Sequence, residues 1–203
     1  MQNYICINNQ KIELTEEQIA QIVAAHTAGS VKLADVTVSD IVKIGSYEMI
    51  VLEQFGSQTA LILKDLYVEE SEFADENNKY DGSYVDEKCQ EFAQDLANIV
   101  GWDNVVLHEV DLTSDDGLKD YGTVERRASL ITAEMYRWYV EILDTVKLEK
   151  WWWLATPHST QRHGNNSWVK CVSPSGFICY DGYGSGNGVR PFCILKSNIF
   201  VSN

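Results

Sequence analysis

Basic residues are scarce in this chain: 16 Lys and Arg stand against 30 Asp and Glu among 203 residues, a formal net charge of −14. Each phosphate contact of a nucleic-acid binder needs a cation, and this excess of carboxylates would repel the phosphate backbone. No basic stripe with interleaved aromatics compensates, so no nucleic-acid partner is expected. Long apolar runs are missing too. None approaches the ~18 residues of a membrane-spanning helix, and Asn8, Asn9, Gln10 and Lys11 break the first apolar stretch where a signal peptide would need its core. The expectation is a chain made in the cytoplasm without a signal peptide and not inserted in a membrane. Cysteine is sparse and shows no pairing pattern. Cys6, Cys89, Cys171, Cys179 and Cys193 are odd in number and form no CxxC, as expected of reduced, mostly buried small hydrophobes.

Chemical signatures are absent as well. "FICYDGYGSGNGVRP" (177–191) carries glycines at alternate positions, Gly182, Gly184, Gly186 and Gly188. It lacks the GxGxxG spacing that seats a pyrophosphate on a helix N-terminus, and the Lys-Ser/Thr of a P-loop. It runs through Val189-Arg190-Pro191 into a strand rather than a helix. In "DLTSDDGLKDYG" (111–122), Asp116 stands where a calcium loop needs glycine and Gly122 where it needs a bidentate acid. This stretch is read as a solvated acidic loop with local Asp capping. His158 and His163, with Cys171 and Cys179 downstream, lack zinc-ligand spacing. No GxSxG occurs, and nothing near Cys179 in the sequence would lower its pKa. His26 is read as a helix-end residue and His108 as a strand or loop residue. No metal, cofactor or catalytic residue is expected.

What is present is apolar patterning. At 45% apolar and 11% aromatic the chain is globular and long enough for one well-filled core. "YICINNQKIEL" is read as a hairpin. Thr15 and Gln18 form a capping box ahead of Ile19, Ile22 and Val23, a helix ended by Ala28-Gly29-Ser30. "DIVKIGSYEMIVLEQFGSQTALILKD" predicts three strands turning at Gly45-Ser46 and Phe55-Gly56-Ser57. Glu69 to Glu87 is a loop by composition. Cys89, Phe92, Ala93, Leu96, Ile99 and Val100 mark a helix stopped by Gly101, and a second runs from Thr132 to Val146.

The last fifty residues differ in kind. They hold all three prolines, Pro157, Pro174 and Pro191, and carry +3, leaving −17 for residues 1–150. Strands, then helices, then strands predict an α+β domain over 39–203, preceded by a strand-helix unit over 1–38. In "WWWLATP" (151–157), consecutive side chains alternate, so one tryptophan enters the core and a neighbour takes the other face. The indoles would clamp the base of the loops that follow.

The combination of Trp151-Trp152-Trp153-Leu154-Ala155-Thr156-Pro157, polar loops and Gly188-Val189-Arg190-Pro191 resembles a bacterial and phage domain family. That family carries a W-W-L-R-[ST]-P box, a terminal G-V-R-P before an apolar strand, and a hairpin matched here by Tyr47 to Leu63. The likeness covers the chain from about Asp40 onward, with Ala155 departing where many relatives have Arg. The resemblance implies a C-type-lectin-like fold, shared with formylglycine-generating enzymes: small antiparallel sheets, two main helices and long C-terminal loops. Several members are variable proteins of diversity-generating retroelements, whose C-terminal repeat is rewritten at template adenines. The implied function is a ligand-binding display surface for a protein or cell-surface partner, tail-associated in a phage or prophage and carried in the virion. A structural particle protein and an enzyme related to formylglycine-generating proteins are the competing possibilities.

Rewriting both adenines of an asparagine codon cannot produce Gln, Lys, Glu, Met or Trp. Those types make up 45 of the 203 residues, yet 162–167 and 177–187 contain none of them. The candidate ligand-binding residues are therefore His158, Arg162, His163, Gly164, Asn165, Asn166, Phe177, Cys179, Tyr180, Asp181, Gly182, Tyr183, Gly184, Ser185, Gly186 and Asn187. Phe177, Tyr180 and Tyr183 would be the anchors, because aromatics bury much area with few rotors. Trp151, Trp152, Trp153, Pro157, Trp168, Gly188, Arg190 and Pro191 would form the scaffold.

Overall fold

A computed structural model describes the backbone of residues 4–7, 10–19 and 29–202. The N-terminal hairpin is present as β1 (Tyr4–Ile7) against β2 (Gln10–Glu13). The capping box forms: Thr15 N–H donates to Gln18 Oε1 at 3.0 Å and Gln18 N–H to Thr15 Oγ1 at 3.2 Å. The rest of that helix, His26 with it, lies outside the described residues.

The main body is α+β and mostly antiparallel. Its largest sheet has eight strands, more than the small sheets expected. The path runs β11 (Ala128–Ser129), β16 (Phe192–Lys196), β6 (Gln58–Leu63), β5 (Tyr47–Phe55), β4 (Ile41–Ile44), β17 (Phe200–Ser202) and β3 (Ser30–Lys32), with β8 (Val105–Val106) also on β16, while β9 (His108–Asp111) and β10 (Thr123–Arg126) pair separately. Ser30–Lys32, assigned by sequence to the N-terminal unit, is the edge strand of this sheet. The two hairpins β4–β5 and β5–β6 turn on Gly45 and Gly56, both at φ 61. That is the left-handed region a two-residue hairpin needs at its first central position.

Apolar runs in β5 and β6 are continuous rather than alternating because both faces of the sheet are covered. Met49, Val51, Leu61 and Leu63 enter one core; Ile50, Leu52, Ala60 and Ile62 enter the other. The first core is closed by the helix Tyr84–Val100, which presents Val85, Cys89, Phe92, Ala93 and Leu96 at helical spacing. Ser83 caps its start and Gly101 its end. The second core is closed by the helix Ala133–Leu143, capped by Thr132, through Ala133, Tyr136 and Leu143. This helix stops before Val146; residues 144–146 tighten into a 3-10 turn. The stretch from Glu69 to Glu87 is not all loop either, since it includes part of β7 (Val68–Ser71) and the start of the first helix.

A five-stranded sheet carries the C-terminal region, in the order β14 (Ile178–Gly182), β13 (Trp168–Val172), β12 (Trp152–Pro157), β15 (Asn187–Val189), β7. The tryptophan run divides as alternation requires. Trp153 is buried in the first core against Phe73, Trp152 is buried in the second against Tyr136, and Trp151 is exposed. β12 meets β15 in parallel, with Trp152 beside Gly188. A Cβ on Gly188 would run into the Leu66 side chain, which would have to move aside. Arg190 spans the two sheets. Its Nε donates to Leu63 O at 2.8 Å, its Nη2 to Lys64 O at 2.9 Å, and the guanidinium lies over Trp152. Pro191 O accepts from Leu63 N–H at 2.9 Å.

Candidate functional site

The stretch 177–187 is not a long loop. Residues 178–182 form β14 and 187–189 form β15, with a tight turn between them. Pairing on β13 sets Lys170 opposite Tyr180 and Trp168 opposite Gly182. These residues share one face, while Val169, Cys171, Cys179 and Asp181 take the other. Toward Val172 and Ile178 that face is covered by the second core. Beyond it, an aromatic group centred on Tyr180 is exposed, with Lys170 buried beside it.

Tyr180 is 53% exposed, Trp168 40% and Phe177, just before β14, 70%. The Trp168 ring meets Tyr180 edge-on at 5.5 Å between centroids, and the His158 ring stacks on Tyr180 at 4.6 Å. Lys170 Nζ lies 5.7 Å from the Tyr180 centroid and 3.1 Å from Asp115 Oδ2. His158 N–H donates to Trp168 O at 2.9 Å, which fixes the start of the loop that follows.

That loop, 158–167, is held from beneath by residues the sequence did not single out. Asn78, fully buried, donates from Nδ2 to Ser159 O at 2.9 Å and to Trp168 O at 2.8 Å, and accepts from Tyr121 Oη. Asn78 N–H also donates to Asn166 O. The acidic segment 111–122 supplies the remaining ties. Asp120 accepts from Thr160 Oγ1 at 2.6 Å and from Arg162. Asp116 accepts from Ser114 and Ser159 hydroxyls and pairs with His163 Nδ1 at 2.8 Å. Burial pushes the Asp116 carboxyl up, but the bonds from Ser114, Ser159 and His163 together outweigh it and hold it well below the usual carboxylate range. Two cations of the C-terminal region thus pair with the acidic segment, Lys170 with Asp115 and Arg162 with Asp120, and His163 joins Asp116 beside them. Among the described residues no group of His, Cys, Asp or Glu could hold a metal ion.

Of the candidate residues, His158 and Tyr180 come together on this face, with Arg162, His163, Gly164, Asn165 and Asn166 on the adjoining loop, while Phe177 stands exposed at the β13–β14 turn. Trp168, assigned to the scaffold, belongs to the exposed aromatic group. Gly184, Ser185 and Gly186 form the turn beyond β14, and Gly182 ends the strand.

Four candidates turn inward instead. Asn187 is buried, with Nδ2 3.3 Å from Asp181 Oδ2. Asp181 is occupied by Gly182 N–H and Ser185 Oγ, both at 2.8 Å, and so shapes the turn. Cys179 lies opposite Cys171 and Tyr183 packs against the first core. Strand alternation accounts for Cys179 and Asp181, and β15 pairing for Asn187; neither can be seen until the strand is recognised. Ser159 Oγ donates to Asp116, the carboxylate that also holds His163.

The face can bury apolar and π surface and offers adaptable polar groups on its loop. Searches against protein-family models, curated proteins and solved structures find no match for this chain. No helix among the described residues is long and apolar enough to cross a membrane.

Proposed function

We propose that this protein is a ligand-binding display module whose C-terminal surface recognises a protein or cell-surface partner. The observation that carries this reading is the separation of two residue sets. Tyr180 and Trp168 stand 53% and 40% exposed on one strand face and Phe177 is 70% exposed at the β13–β14 turn, while the frame (Trp152, Trp153, Arg190) is almost fully buried. Large exposed aromatics grouped on a rigid element are the usual anchors of a binding surface. The reading extends to a C-type-lectin-like fold and to a diversified, phage-associated protein carried in the virion, with recognition rather than catalysis as the activity.

Exchanging 162–166 together with Phe177, Tyr180, Gly184 and Ser185 for unrelated residues tests it. Melting temperature should hold across such a panel while partner specificity changes; loss of folding in every member would refute display. On the genetic side, a reverse transcriptase gene beside a near-copy of codons 151–203 differing only at adenines would support diversification. A locus lacking both would refute it.

A further inference from the structure

Strand β14 is the outer strand of the five-stranded sheet and pairs only with β13, in continuous register and without a bulge. Two bonds that continue this ladder fix its phase: Ser173 N–H donates to Phe177 O and Tyr183 N–H to Ser167 O, both at 2.9 Å. By antiparallel alternation, the backbone groups of Cys179 and Asp181 then face β13, and those of Ile178, Tyr180 and Gly182 face the free edge. Gly182 is taken back by the turn, its N–H by Asp181 Oδ1 and its carbonyl by Ser185 N–H. Below Ile178 the edge is closed where Gly176 O accepts from Tyr136 Oη. Between these ends, the N–H and C=O groups of Ile178 and Tyr180 have no hydrogen-bond partner among the described residues.

Resting on the display reading above, we propose that this edge takes an extended, uncharged segment of a partner protein as an added strand. Donors and acceptors at strand spacing complement the backbone of another strand. Other edges of the molecule are guarded against such pairing, and this one is not. β7, at the opposite edge of the same sheet, bears Glu69 and Glu70 and pairs irregularly with β15, while β3 ends in Lys32. Charge, bulges and proline are the usual protections of an edge. β14, Ile-Cys-Tyr-Asp-Gly, has no Lys or Pro, and its one charge, on Asp181, is drawn into the turn by Gly182 N–H and Ser185 Oγ.

The surroundings set the character of the segment. The Tyr180 ring is already stacked by His158 and approached by Lys170, so the backbone edge, and not the ring, is the primary contact. A residue opposite Tyr180 would lie beside that ring, a place suited to β-branched or aromatic side chains. Lys170 is paired with Asp115, so no charge is demanded of the segment. Backbone bonds do not depend on which side chains β14 carries. The docking mode would therefore persist while side chains over 177–187 change and tune specificity. A second copy pairing through the same short edge makes too small a contact for the ~1,200 Å² of a stable association. It would also bring together two chains of net charge −14.

The test uses the full chain. Binders are selected on it from a random dodecapeptide library, synthesised, and remade with one backbone N-methyl group at each position in turn. Within the docked span, N-methylation at every second residue should weaken binding about tenfold or more, and at the residues between should change it little. Tyr180→Ala keeps the outward N–H and should cost no more than about fivefold; Tyr180→Pro removes it without touching the ladder to β13 and should cost about tenfold more. Amide hydrogen exchange gives a further readout. Ile178 and Tyr180 should exchange fast in the free chain, Cys179 and Asp181 slowly, and bound peptide should slow the first pair. Should Tyr180→Pro not fold, the N-methyl pattern on the unsubstituted chain decides.

N-methyl effects without the two-residue period, or equal binding by Tyr180→Ala and Tyr180→Pro, would overturn strand addition. If the same peptides lose affinity when 162–166 are exchanged, the display surface still stands. A library that yields no binder also overturns strand addition. So does slow exchange of Ile178 and Tyr180 in the free chain, and growth of that protection with protein concentration would assign the edge to a second copy.

Discussion

At residue scale, Arg190 holds a charge where water is nearly excluded, at 1% exposure. Burial pushes its pKa down to about 10, so it stays protonated at neutral pH, and its fork is used on the carbonyls of Leu63 and Lys64. Arg190→Met should therefore cost about 2–4 kcal/mol in urea unfolding, because both carbonyls lose a donor and the contact with Trp152 goes. Arg190→Lys, with a point charge in place of the fork, should recover only part of this loss.

His108 is a residue-scale case of a different kind. Burial lowers its pKa from 6.5 to about 4, and its Nε2 lies 2.9 Å from Ser129 Oγ. The unfolded chain takes up a proton on this imidazole as pH falls below 6.5, and the folded chain does not until about pH 4. The neutral ring thus favours folding at and above pH 6.5, and that contribution disappears between 6.5 and 4. His108→Gln should flatten the fall in stability over this window, as read from unfolding curves at stepped pH.

At the scale of elements, the helix caps and the loop ties can be separated. Ser83 Oγ accepts from Asp86 N–H at 3.2 Å and Thr132 Oγ1 from Met135 N–H at 3.1 Å. Ser83→Ala and Thr132→Ala should each lower stability by about 1 kcal/mol, measured by thermal or denaturant unfolding. The ties to 158–167 are local, so their loss should show locally. Asp120→Ala releases Thr160 and Arg162. Faster amide hydrogen exchange is expected at 161–166, with exchange in β5 and β6 unchanged.

At the scale of the whole molecule, frame and surface should respond differently to the same change. Trp153→Ala empties a fully buried site against Phe73 and should cost about 3–5 kcal/mol. Phe177→Ala and Tyr180→Ala remove exposed rings and should leave the melting temperature within about 3 °C, since each kcal/mol moves it by roughly 2–4 °C at this size. Scanning calorimetry of the three variants makes the comparison. A large loss on Tyr180→Ala would mean that the aromatic group holds the sheet together and is not free for a partner.

The sequence by itself determined the elements whose cause is local. Gly45-Ser46 and Phe55-Gly56-Ser57 turn the hairpins, Thr132 starts a helix and Gly101 ends one, and alternation divides Trp152 from Trp153. Each follows from a backbone preference or a side-chain period within a few residues. Continuous apolar runs marked β5 and β6 as buried without saying what covers each face. Only the tertiary structure decided which C-terminal residues look outward. Pairing of β14 on β13 and of β15 on β7 turned Cys179, Asp181 and Asn187 inward and brought Trp168 beside Tyr180. The burial of Asn78 beneath the 158–167 loop, and the ties from Asp116 and Asp120, join segments 40–90 residues apart. A polar residue of that kind looks like any other loop residue until folding removes its water, and then its partners, not its neighbours in the chain, give it a role.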